Sequence, residues 1–442
     1  MATRFENGII VTLGSNSQVL WNGSVVIEGE NIVAVGEPSK MRQRFPDAEA
    51  IDCSGKIVLP GFICAHHHFY STMARGMAIP GEPASNFVEI LERLWWKVDR
   101  ALNGEDITLS AQIPLIECIR NGTTTVIDHH ASPSMSNGSL DLVEDAVRQA
   151  GIRAALCYEV SDRNEKGEGI GENERFIKKT GKGDGQITAM MGLHASFTLS
   201  DETLEKCGGI AQDAGVGCHV HVAEDLADRE DSLNKYGVPT VHRLDKMGVS
   251  GEKSLFAHCI HIDESEMDLI AATKTSVVHN PESNMNNAVG VTPLFGLLRR
   301  NILVGLGTDG MSSDMLSQMR SAYLLHRLAN RDPRVAFLEA PKLLLENNPK
   351  IAERQFGIHL GEIAEGYPAD LAIIDYHPPT TLDETNFLGH LIFGLVDAIV
   401  DTTVCRGKIL MQDKKILTLD EERIAARSRE VSPEMWKRLE SL

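Results

Sequence analysis

Three consecutive histidines, His66-His-His68, end a short apolar run that breaks at Pro60-Gly61. On an extended chain, residues two apart share a side, so His66 and His68 face one way and His67 the other. Two imidazoles on one face at a strand end can chelate a single metal ion. An affinity tag or a surface cluster is the plainer explanation, but a tag sits at a terminus and lacks a preceding apolar strand. Other strand-like runs end in ligand-type residues as well. Gly217 to Val222 carries His219 and His221 on one face and leads to Glu224. Of the two histidines, His221 lies nearer the strand end and is the better ligand. Leu255 to Ala257 leads to His258, and Ile302 to Thr308 leads to Asp309. Any one of these alone is more simply a satisfied polar residue. Together they offer three histidines and a carboxylate, with Glu224 and His258 in addition.

That set suits one divalent ion holding a water. The ion would bring the water's pKa toward ~7 and make hydroxide available at neutral pH. Asp309 can both ligate and accept the water's proton, and Glu224 can carry protons to the leaving group. His258 can polarise the reacting oxygen. The expected reaction is hydrolysis, by metal-bound hydroxide, of an electron-poor carbon bearing nitrogen. Zinc fits the ligands best. Iron(II) and manganese(II) are the alternatives, because affinity order alone does not set the metal in cells.

These residues need strand ends that open onto one face. Residues 59–364 alternate strands and helices. Leu102 to Arg120 has helical periodicity and stops at Asn121-Gly122. Thr123 to Ile127 then reads as a buried strand, Leu140 to Ala150 as a helix, and Arg153 to Tyr158 as a strand. Further strands are expected at Ile187 to Leu193, Gly217 to Val222, Leu255 to Ala257, Ser276 to Val278 and Leu303 to Leu306. Repeated β-α units over this length predict an α/β fold of the (β/α)8 TIM-barrel type, catalytic residues at its carboxyl-terminal face. An open doubly wound sheet would need a Gly-rich phosphate loop after its first strand, and Pro60-Gly61 is not one. Residues 1–58 and 365–442 read as short strands with turns, expected to join in one small β-domain, with a helix at the end of the chain.

Lys plus Arg is 43 and Asp plus Glu 62, a net charge of −19, which disfavours nucleic acids and anionic membranes. No leader is expected at the start, and no stretch is apolar enough to span a bilayer. The eight cysteines form no Cys-x-x-Cys pair, which suits free thiols in the cytoplasm. A homodimer is the base-rate expectation.

With these residues in view, the chain resembles the amidohydrolase superfamily, in its guanine deaminase and triazine hydrolase branch. The motifs are Pro-Gly-x-x-x-x-His-x-His at Pro60 to His68, His-x-x-Glu at His221 to Glu224, and Ala-His-Cys at Ala257 to Cys259. Asn-Pro-x-Ser-Asn at Asn280 to Asn284 and Gly-Thr-Asp at Gly307 to Asp309 complete them. Gly366 to Leu371 resembles the family's return to a β-sandwich built from both chain ends. The resemblance implies that His66, His68, His221 and Asp309 bind the metal and that Glu224 and His258 handle protons and polarisation. It also implies that His194 contacts substrate. Closer still, Leu94 to Arg100, Thr125 to Pro133 and Ser283 to Asn287 are similar to SsnA-like aminohydrolases, a kinship that suggests ring opening of a reduced purine. Two positions depart from the branch, Cys64 and Asn286, both expected on the substrate side. The strand ending at Leu193 has no lysine to be carbamylated between two metals, so one ion is expected.

The substrate expectation is a small nitrogen heterocycle, probed by His194, Asn284, Glu159 and one of His129 and His130, with His130 the choice. Glu159 can read a ring N–H or simply pair with Arg163. Trp95 is expected to stack on the ring while Trp96 packs in the core, because adjacent helical residues point apart. Deamination of a guanine, pterin or triazine type and ring opening of a reduced purine use the same groups. The different-class alternative, a non-catalytic scaffold, would have lost ligands, and none is missing.

Overall fold

The computed structural model describes residues 2–79 and 81–442. It is a mixed α/β molecule. Strands β1 (Ala2–Val11), β2 (Val19–Glu28), β3 (Asn31–Gly36), β4 (Glu49–Asp52) and β5 (Lys56–Pro60) come first. β6 (Phe62–His67), β7 (Thr123–His130), β8 (Arg153–Tyr158) and β9 (Ile187–Ala189) form a parallel sheet in that order. A second parallel sheet runs β10 (Met191–Ala195), β11 (Cys218–Val222), β12 (Leu255–His258), β13 (Ser276–His279) and β14 (Val304–Leu306). The expected strand from Ile187 to Leu193 is therefore two, broken at Met190, which lets β8 meet both.

Bonds join the edges of the two sheets. Val160 N donates to Gly192 O at 3.1 Å and His194 N to Val160 O at 3.0 Å, linking the end of β8 to β10. On the other side Thr308 N and Asp309 N both donate to His66 O, at 2.9 and 3.1 Å. The wholly buried Asn348 ties the same seam, its Nδ2 reaching Ile63 O at 2.6 Å and Leu306 O at 2.9 Å. Ala65, Ile127, Ala155, Leu255 and Val278, drawn from both sheets, share one apolar cluster.

The intervening helices have sequence-encoded ends. Asn103 caps Gly104–Arg120 in a capping box with Asp106, and Gly151 closes Ser139–Ala150 in the left-handed region that glycine favours.

Strands from both chain ends meet in a third sheet. β15 (Leu371–Asp375) pairs antiparallel with β5, and β16 (Ile399–Cys405), β17 (Lys408–Gln412) and β18 (Lys415–Ile416) extend it. Buried Arg153 at the start of β8 pairs with Asp370 just before β15 and donates to Gly185 O at 2.9 Å. The last helix, Glu421–Glu440, lies against the segment after β6, where Trp436 Nε1 donates to Met73 O at 2.8 Å. No helix among the described residues is long and apolar enough to cross a membrane.

Candidate active site

The ligand-type residues gather at the carboxyl-terminal ends of the parallel strands. His66 lies on β6 and His68 just after it, His221 is on β11, His258 ends β12, and Asp309 follows β14. Sharp turns aim several of them. Ala223, His258 and Asp309 have φ of 45°, 71° and 52°. Left-handed backbone costs energy for residues with a Cβ and concentrates at functional sites. Gly307 is required by proximity, since a side chain there would strike Asn280 Oδ1 and crowd His66.

One nitrogen from each of His66, His68 and His221 and one oxygen of Asp309 lie within 4.8 Å of one another. Asp309 Oδ1 is 3.1 Å from His68 Nε2 and 3.6 Å from His66 Nε2. Hydrogen bonds behind the rings fix the tautomers. His68 Nδ1 faces His129 O at 2.7 Å and His221 Nδ1 faces His194 O at 2.8 Å, so each Nδ1 carries the hydrogen and each Nε2 a lone pair. Those two Nε2 atoms are 3.0 Å apart. His66 Nε2 is buried with no partner. Its Nδ1 faces His219 Nε2 at 2.8 Å, and His219 Nδ1 faces Cys157 Sγ at 3.7 Å. Three lone pairs and a carboxylate thus converge, an arrangement that repels itself without a cation. The donor set therefore fits a divalent metal ion.

The electrostatics show a demand for positive charge at the same point. Burial opposes a charge on His68, yet the neighbouring Asp309 carboxylate holds it up at about 9, so a cation, proton or metal, is favoured at its Nε2. Burial likewise opposes the Asp309 charge, and the adjacent His66 and His68 rings outweigh it, keeping that carboxyl well below the ordinary range. Glu224 goes the opposite way. Burial, then the charge of Asp309, push it well above the usual carboxylate range. Glu224 Oε2 and Asp309 Oδ2 flank His258 Nε2 at 3.4 and 3.6 Å. Burial holds His258 below its usual pKa, and its Nδ1 donates to Asn284 Oδ1 at 2.8 Å. Two residues that the sequence reading missed orient the carboxyls. Ser283 Oγ donates to Asp309 Oδ2 at 2.5 Å and Asn287 Nδ2 to Glu224 Oε1 at 3.3 Å. Their signal was present in the four-residue spacing of Ser283 and Asn287.

Comparison with known proteins supplies the family. The model of the amidohydrolase family matches residues 57–410. The chain belongs to the amidohydrolase family. It is an enzyme hydrolysing carbon–nitrogen bonds other than peptide bonds. It is 32% identical to a 5-methylthioadenosine/S-adenosylhomocysteine deaminase of Pelotomaculum thermopropionicum, over 95% of this chain and 96% of the other. It is 31% identical to a 5'-deoxyadenosine deaminase of Methanosarcina mazei, over 99% of each. An adenosine deaminase of Xanthomonas campestris, solved with bound zinc, superposes with a TM-score of 0.86 at 25% identity, covering 100% of this chain and 99% of that one.

In this amidohydrolase a cavity of about 820 Å³, counting its open mouth, lies over the histidine cluster. His194, Glu159 and Trp95, three of the residues expected to meet substrate, line it. Trp96 lines it too, which corrects the expectation of a core residue. Leu91–Trp95 is a π-helical turn, so the usual angular step between neighbours does not hold there. Its ring meets His194 edge-on, centroids 6.1 Å apart. Two expected substrate residues are not among the lining residues. Asn284 sits wholly buried behind His258 as its hydrogen-bond partner. His130 turns away, its Nε2 on Ser132 Oγ at 2.9 Å and its ring between Tyr70 and Tyr158. Strand alternation puts His129 on the inner side instead, its Nε2 facing two backbone carbonyls and its Nδ1 unpartnered. Of the two departures from the branch pattern, Asn286 lines the cavity and Cys64 does not. Cys64 is buried, its thiol donating to His66 O at 3.2 Å.

Proposed function

We propose that the protein is a single-metal hydrolase of a carbon–nitrogen bond in a small, purine-like heterocycle. The carrying observation is the convergence of three histidine lone pairs and the Asp309 carboxylate, with Glu224 and His258 beside them. His66, His68, His221 and Asp309 hold the ion, which we take to be zinc on the donor set and on the zinc-bound relative. When bound, a divalent ion supplies Lewis acidity and lowers a water's pKa toward ~7. Asp309 is kept ionised, and its Oδ2 can receive the proton of the attacking water. Glu224, kept protonated, can deliver from Oε2 to the departing nitrogen, because Asn287 already occupies Oε1. His258, neutral, presents Nε2 to both carboxyls and steadies the proton between them. The relatives named as adenosine-type deaminases support a purine-like ring.

The fold that serves this reading is a closed (β/α)8 barrel of β6, β7, β8 and β10 to β14, over residues 59–364. The bonds at the seams between β8 and β10 and between β14 and β6 support closure. Residues 1–58 and 365–442 make the accessory β-domain. The eight free, buried cysteines suit a reducing cytoplasm.

The test is a screen of metal-loaded protein on purines, reduced purines, pterins and triazines, following ultraviolet absorbance and ammonia together. Absorbance change with stoichiometric ammonia marks a deaminase, and change without ammonia marks ring opening. A protein that neither holds nor regains a metal, or that converts none of these, refutes the proposal.

A further inference from the structure

Helix Pro281–Asn286 and the residue after it hold all three proton-handling groups from behind. Ser283 donates to Asp309, Asn284 accepts from His258, and Asn287 donates to Glu224. Positions 283 and 287 lie four apart and so share one side of the turn. A helix of six residues is too short to hold itself in place, and outside contacts must fix its rotation. Those contacts converge on Glu282. Its Oε1 accepts from Ser317 Oγ at 2.6 Å and from Ser321 Oγ at 3.0 Å. Its Oε2 accepts from Gln318 Nε2 at 2.7 Å and from Ser312 Oγ at 3.4 Å. Gln318 is wholly buried, and its Oε1 accepts in return from Glu282 N at 3.4 Å. Ser317, Gln318 and Ser321 belong to helix Met315–Asn330, and Ser312 to the loop just past Asp309.

All four donors to this half-buried carboxyl are neutral side chains. An apolar side chain would pack two helices together at lower desolvation cost. What the carboxyl adds is direction, because two acceptor oxygens in fixed places take four bonds. Successive helical residues point ~100° apart, so fixing Glu282 on one flank sets the aim of Ser283 on the next. Through Ser312 the same group also grips the loop that carries Asp309, and so holds both partners of the Ser283–Asp309 bond. We infer that Glu282 is a positioning residue that acts through Ser283 to aim the Asp309 carboxylate at the metal site, and through Asn284 and Asn287 to keep His258 and Glu224 in line. Glu282 itself does not line the cavity. This inference rests on the hydrolase reading above.

The test is zinc affinity of the intact protein, by competition with a chromophoric chelator at fixed pH, in a double-mutant cycle. Ser283→Ala should weaken zinc by ~10–100-fold, the usual result of removing a ligand's hydrogen-bond partner. Glu282→Leu removes every acceptor of the clamp and should cost roughly the same. The two together should lose no more than Ser283→Ala alone, whereas independent sites would add. Glu282→Gln keeps an oxygen for Gln318 and can turn its amide N–H2 to the serine hydroxyls, so it should stay within a few-fold of wild type. If Glu282→Leu does not fold, Ser317→Ala with Ser321→Ala strips Oε1 of both donors and should weaken zinc by roughly 3–10-fold, again without adding to Ser283→Ala. Thermal melts accompany each variant, and Arg153→Met serves as a destabilised control outside the site that should keep wild-type zinc affinity. Wild-type affinity in folded Glu282→Leu, or losses that add to those of Ser283→Ala, would overturn the inference. So would a Glu282→Gln protein as weak as Glu282→Leu, because charge and not the clamp would then matter. Failure of the hydrolase reading would show separately, as wild-type protein that binds no zinc.

Discussion

His219 touches neither the cavity nor the converging donor atoms, yet the tautomer of His66 depends on it. For His66 Nε2 to offer a lone pair, Nδ1 must carry the hydrogen and donate it to His219 Nε2, 2.8 Å away. His219 then carries its own hydrogen on Nδ1, facing Cys157 Sγ at 3.7 Å, and the Cys157 thiol donates to Asp128 O at 3.4 Å. The chain has one consistent direction. His219→Leu removes the acceptor and leaves a buried N–H unsatisfied, at ~1–3 kcal/mol. At ~1.4 kcal/mol per tenfold this is roughly 5–150-fold in metal affinity. It overlaps the ~10–100-fold that loss of a ligand's hydrogen-bond partner typically costs. His219→Gln keeps an acceptor oxygen and should stay within a few-fold of wild type. The assay is zinc competition against a chromophoric chelator at fixed pH, with circular dichroism and melting to exclude misfolding. A Leu variant with unchanged zinc affinity would refute the reasoning. So would a Gln variant as weak as the Leu one, because packing and not the acceptor would then matter.

Glu224→Gln should retain zinc and lose turnover by ~10²–10⁴, the usual contribution of a positioned proton donor, measured as kcat beside metal content. Asp309→Asn should lose activity and zinc together, since it removes a ligand charge as well as a proton acceptor. Arg153→Met should lower stability by ~3–5 kcal/mol in denaturant melts by stranding buried Asp370, and Arg153→Met with Asp370→Leu should recover much of it. Burial lowers His326 from 6.5 to about 4. Protonation then favours the unfolded chain, so stability should fall as pH drops from about 6.5 to about 4, by ~3 kcal/mol from this group. His326→Leu should flatten that part of the acid limb, and an unchanged slope would remove His326 as its source.

The sequence revealed the reactive cluster because strand alternation and strand ends are local properties. His66, His68 and His221 could be assigned to one face from a period of two, and Asp309 from its place after an apolar run. The helix expected from Leu102 to Arg120 was legible for the same reason, with its stop at Asn121, although it starts two residues later, at Gly104 behind the cap Asn103. What escaped was set by contacts between distant segments. Asp99 meets Arg163 across 64 positions, and nothing near either residue announces the pairing. Trp96 was misplaced because a π turn broke the helical step just before it. Asn284 and Cys64 looked like substrate residues because they neighbour the motifs. Their side chains instead support His258 and the His66 backbone, a distinction that needs coordinates.

In the proposed reaction, the metal ligands, Asp309 and Glu224 fix where the attacked carbon sits but not which nitrogen leaves. Asp309 and Glu224 are pushed to opposite protonation states on either side of His258 Nε2, so one can take a proton and the other give one. Two carboxyls held apart in this way serve any carbon–nitrogen bond brought between them. In the proposed reaction, whatever nitrogen faces Glu224 Oε2 becomes the leaving group. On that proposal the choice belongs to the rest of the cavity lining, where Asp99, Glu159, Trp95 and Trp96 would set the rotation of the ring. An exocyclic amine turned toward Glu224 gives deamination, and an endocyclic nitrogen there gives ring opening. Relatives that share the histidines and differ in that lining can therefore share a mechanism and differ in product.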